Sequence, residues 1–65
     1  MTPADLYHKY SMQELIDMAE RIRADPENHN PKGSLYIYTP KARKKLENIA
    51  RAISFHIEER RKAAQ

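Results

Sequence analysis

Apolar residues recur at helical spacing in two separate windows of this 65-residue chain, with a polar, proline-marked stretch between them. In the first window Met12, Leu15, Ile16, Ala19 and Ile22 fall on one side of a helix. Ser11-Met12-Gln13-Glu14 ahead of them is a capping box, whose serine oxygen and glutamate side chain satisfy backbone donors reciprocally. Pro26 pushes Asp25 out of the α region, so this helix should span residues 12–24. In the second window Leu46, Ile49, Ala50, Ile53 and Ile57 form the stripe, and Ala42 continues it toward the N-terminus. Thr39 as N-cap and Pro40 as first helical residue start a helix predicted over about residues 40–62, roughly 35 Å long at 1.5 Å per residue. Thr2-Pro3-Ala4-Asp5 repeats the same start signal and predicts a short helix over residues 3–9.

Between the windows, Asp25-Pro26-Glu27-Asn28 and Asn30-Pro31-Lys32-Gly33 each place an Asx residue first and proline second, which predicts a loop over 25–33 built from two turns. Ser34-Leu35-Tyr36-Ile37-Tyr38 then alternates aromatic and aliphatic residues, and reads as a strand-like extended arm over 34–38. The expected fold is all-α. A shorter and a longer helix form an antiparallel hairpin, preceded by a helical turn, in one small domain.

Composition limits how stable such a fold can be. Four Leu, six Ile and one Phe, with no Val or Trp, make a thin core, and one core below about 70 residues rarely supplies more than roughly 3–5 kcal/mol. No cysteine is present to add a disulfide or a thiolate zinc site. Self-association is the cheapest remaining source of buried apolar area, so a homo-oligomer is expected. Charge is split as well: residues 1–30 sum to −3 and residues 31–65 to +6. The acidic and basic halves can set their register on one another, each exposed pair contributing little.

Two surface sets carry candidate function. At 100° per residue Phe55 falls almost opposite the Leu46–Ile53–Ile57 stripe with Ala52 beside it, so Phe55 and Ala52, together with Tyr36 and Tyr38 of the arm, are the expected partner or dimer contacts. Lys41, Arg43, Lys44 and Lys45 crowd the first turns of the long helix, where the macrodipole disfavours cations by about 0.3–1 kcal/mol each. Such a concentration suits an anion, and with the neighbouring tyrosines it makes single-stranded nucleic acid the alternative partner. Arg60-Arg61-Lys62 suits the helix C-terminus without any ligand. His8, His29 and His56 have no metal-helix spacing, the single glycine allows no phosphate loop, and the serines lack a nucleophile context. No catalytic, cofactor or metal site is expected. No apolar run is long enough to span a membrane and the first five residues lack signal-peptide character, so a cytoplasmic protein is expected.

Ribbon-helix-helix repressors match the size and the basic charge, but their strand comes before both helices. A helix-turn-helix needs a tighter turn than residues 25–33 provide. Leu6-Tyr7-His8-Lys9-Tyr10-Ser11 with Glu14-Leu15, then Asp25-Pro26 and the run Asn30 to Thr39, resembles the short accessory proteins encoded in early regions of temperate, lambda-like bacteriophages. The resemblance implies a non-enzymatic protein, dispensable for phage growth in rich conditions, that acts in the host cytoplasm by binding a host or phage component.

Overall fold

Capping chemistry sets where each helix begins. The computed structural model describes residues 2–29 and 38–64, and α1 (Pro3–Lys9) opens on a full capping box in which the Asp5 N–H donates to Thr2 Oγ1 at 3.2 Å and the Thr2 N–H donates to the Asp5 carboxylate at 3.3 Å. Hydrogen bonds from Thr2, its side chain foremost and its backbone next, hold the Asp5 carboxyl below the ordinary value of 3.8. The bound form is the carboxylate, so its contribution to the cap is complete above that value and is lost as pH falls through the lowered one. Amide exchange in the first turn of α1 should therefore quicken below about pH 4, and Asp5→Asn should remove that pH dependence.

The second helix, α2 (Met12–Ala24), starts on the Ser11–Glu14 box, with the Glu14 N–H on Ser11 Oγ at 3.2 Å and the Ser11 N–H on Glu14 at 3.1 Å. Only Tyr10 and Ser11 separate it from α1. It ends at Asp25, whose carboxylate accepts from the Glu27 N–H and starts a single 3-10 turn over Pro26–Asn28. The third helix, α3 (Pro40–Ala64), opens with Thr39 Oγ1 accepting from the Ala42 N–H at 3.3 Å and the Thr39 carbonyl accepting from the Arg43 N–H at 2.9 Å. The described residues contain no strand and no helix long and apolar enough to cross a membrane.

Both short helices pack along α3. Thr2 and Asp5 lie beside Lys41 and Lys45, while Tyr7 meets Phe55 and His56, so α1 runs in the direction of α3. Helix α2 runs the other way: the Tyr10 carbonyl before it is bound by His56, and the Asn28 carbonyl beyond it accepts from the Thr39 N–H at 2.8 Å. The all-α class is as expected; the hairpin is not the whole arrangement, because α3 is a common wall for both short helices and the helix predicted over 3–9 packs along it instead of merely preceding the pair.

The core joins Leu6 of α1, Leu15 and Ala19 of α2, and Ile49 and Ala52 of α3. Because two helices cover α3, its buried face is turned from the expected stripe. Ala52, about 60° around the helix from Ile49, is completely buried, whereas Ala50 and Ile57 are exposed. Leu46 and Ile53 are half-buried. Beyond His56 every residue from Ile57 to Ala64 is exposed, since α1 and α2 meet at the His56 level and nothing described lies past it.

Candidate functional site

The loop leaving α2 does structural work that the sequence did not signal. Asn28 Nδ2 donates to the Ile22 carbonyl at 3.0 Å, and His29 Nε2 donates to the Arg23 carbonyl at 2.9 Å, satisfying two carbonyls that the end of α2 leaves without a helical partner. A single antiparallel backbone bridge joins His29 to Tyr38, and their rings lie 4.8 Å apart. Tyr38 is therefore half-buried against the loop and is not the tip of a free arm. Tyr36, and with it the strand expected over 34–37, lies outside the described residues. Asn28→Ala should cost about 1–2 kcal/mol by leaving a half-buried carbonyl unsatisfied, read as a lowered urea midpoint at unchanged slope.

Phe55 lies on the surface of α3, where the helix wheel places it. Phe55 is 42% exposed and Ile57 43%, the exposed large hydrophobic side chains of the described residues. Phe55 is met edge-on by Tyr7, with ring centroids 6.0 Å apart and planes at 90°. The Tyr7 ring also sits 4.5 Å from His56, whose Nε2 donates to the Tyr10 carbonyl at 3.0 Å. Ala52 must be removed from the surface set. It faces the Leu6–Leu15–Ile49 core because α1 covers that side of α3, and a lone helix wheel, knowing nothing of α1, leaves it in solvent. Tyr7 was missed for the same reason, although its aromatic character one turn before Tyr10 was the available signal, whereas His56, which borders the apolar stripe, is the half-buried core-edge residue its position predicts.

Lys41, Arg43, Lys44 and Lys45 are all exposed. Lys41, Lys44 and Lys45 line one depression with Thr2, Pro3 and Asp5, so three cations face a single carboxylate that is already engaged by Thr2. Arg43 does not line it. The i,i+4 spacing of opposite charges predicts helix-face pairs at Asp17–Arg21, Glu47–Arg51 and Glu58–Lys62. Glu47–Arg51 forms, at 3.4 Å, as an exposed contact of little energetic weight; no ion pair joins the other two among the described residues, and Asp17 accepts from Gln13 Nε2 at 3.1 Å.

No protein-family model, characterised protein or solved structure matches the chain. The functional reading therefore rests on this molecule's own surfaces. On the seam between α2 and α3, a cavity of about 390 Å³ opens among Leu6, Met18, Ile22 and Ile49, with Arg21 and Lys45 on its lips. It shares Lys45 and Asn48 with the lysine-lined depression, so an apolar recess and a cationic one adjoin.

Proposed function

We propose that this chain is a non-enzymatic, self-associating protein-interaction module whose contact surface is the far end of α3. The observation that supports the reading is that Phe55, met edge-on by Tyr7, and Ile57, just past the His56 level, are the large apolar side chains left about two-fifths exposed among the described residues. Covering the two-fifths of each side chain that is still exposed is worth about 1 kcal/mol apiece, and a second copy of the chain supplies that cover. In this reading the protein acts like the phage accessory proteins it resembles, by occupying a host or phage component. Phe55 and Ile57 stand about 160° apart around α3, so each marks a separate side of the rod.

Sedimentation tests it. Phe55→Asp or Ile57→Asp should convert an oligomer into a folded monomer, with the helical circular-dichroism signal retained. A wild-type mass in both variants, or a monomeric parent chain that captures no partner, removes the reading.

A second reading is supported by the three lysines that share one depression: Lys41, Lys44 and Lys45, with Arg43 nearby in sequence, bind single-stranded nucleic acid. About four phosphate contacts would make log K fall with log salt at a slope near −3 to −4, while an apolar protein contact would barely respond. Lys44→Glu with Lys45→Glu should abolish such binding; oligonucleotide affinity surviving that change excludes these lysines as its source.

A further inference from the structure

The cavity between the helices is a different kind of feature from the open end of α3. Its walls are mostly apolar and come from all three helices: Leu6 from α1, Met18 and Ile22 from α2, and Ile49 from α3, with the polar Asn48 of α3 beside Ile49. Its volume of about 390 Å³ lies within the roughly 300–1,000 Å³ of small-molecule sites. The lips are charged and of one sign, Arg21 on α2 and Lys45 on α3, both exposed. Arg21 does not pair with the carboxylate one turn behind it, because Asp17 accepts from Gln13 and no ion pair joins Asp17 to Arg21. An apolar recess with two cations at its mouth is complementary to one class of molecule, a flexible hydrocarbon chain ending in an anion. A nucleotide suits it poorly, since no aromatic side chain among the described residues lines the walls for a base to stack on.

We propose that this cavity binds a single-chain alkyl carboxylate, with the chain among Leu6, Met18, Ile22 and Ile49 and the head group between Arg21 and Lys45. The site is independent of the surface at Phe55 and Ile57, so either can fail without the other.

Calorimetric titration of the full chain with octanoate, decanoate and dodecanoate, each below its micelle-forming concentration, tests the proposal. Affinity should rise about fourfold per added methylene, the gain expected for burying one CH₂. Decanol, which lacks the charge, should bind about tenfold more weakly than decanoate, in line with two partly solvated charge contacts. Arg21→Glu with Lys45→Glu should impose the same loss on decanoate and leave decanol unchanged. Met18→Trp, which fills the recess, should abolish binding of both. Methyl resonances of Leu6, Met18, Ile22 and Ile49 in the unsubstituted chain should move on decanoate addition, which decides the matter even where Met18→Trp does not fold. Equal affinity across chain lengths, equal affinity for decanol and decanoate, or methyl shifts confined to Ile57 would overturn it.

Discussion

Leu15→Ala should leave the chain close to its unfolding midpoint at 25 °C. Leu15 is fully buried and is the largest side chain so enclosed, held among Leu6, Ala19, Ile49 and Ala52. Two of those neighbours are alanines, which have no side-chain length with which to close a void. Truncating a buried leucine costs about 2–5 kcal/mol, rising with the cavity that remains. A single core of this size supplies only about 3–5 kcal/mol, so the loss is comparable with the total. Urea titration followed by circular dichroism measures it, and Ile57→Ala is the control, expected within about 1 kcal/mol of the parent because Ile57 is exposed and lies outside the core cluster. A parental midpoint for Leu15→Ala would mean that the three helices do not meet at Leu15.

Ala52→Asp separates the structure from the helix wheel even more sharply. On a solitary α3 the position beside Phe55 is a surface one, and an aspartate there would do no more than disturb a partner contact. In the three-helix arrangement it places a carboxylate in an apolar core in which no buried polar or charged side chain is found among the described residues. An unpaired buried charge costs several kcal/mol, enough to unfold a chain of this stability. Phe55→Asp, one turn further on, should stay folded. Helical circular dichroism of the two variants side by side decides the outcome: loss in Ala52→Asp and retention in Phe55→Asp supports the packing of α1 on α3, and retention in both would put Ala52 back on the surface.

These two residues also mark where a sequence reading stops. Every helix start was legible, because a cap is a local affair. Thr2 and Asp5, Ser11 and Glu14, and Thr39 with Pro40 meet their backbone partners within four residues, whatever the rest of the chain does. Leu15 and Ala19 were legible as core for a related reason, since they sit within the apolar stripe of α2, where a packing partner buries them. The margins of the stripe were not. On α3, Ile49, Ala50 and Ala52 lie at or beyond the edges of the stripe, and their fate depends on which side a second helix approaches, while Ile57 lies within it and is exposed because nothing described covers α3 past His56. Alanine is also the least informative residue at such a position, small enough for an interior contact and polar enough in neither direction to object to water.

Candidate function divides along the same line. That Lys41, Arg43, Lys44 and Lys45 are exposed follows from their chemistry alone, but the confrontation of Lys41, Lys44 and Lys45 with Asp5 needs the first and last helices to lie together. Likewise Arg21 and Lys45 are 24 positions apart in the chain, and nothing in their local context links them before α2 turns back along α3.

Local order in this protein thus comes from residues that interact within one or two turns: the caps, the breaking prolines and the mid-stripe aliphatics are written in the chain and need no fold to take effect. The choice of which face of α3 becomes interior, the capture of the Ile22 and Arg23 carbonyls by Asn28 and His29, and the recess under Arg21 and Lys45 arise only when α1 and α2 pack on the same helix. Burial is a property of the surfaces that meet, and a helix carries no record of where its neighbours will be.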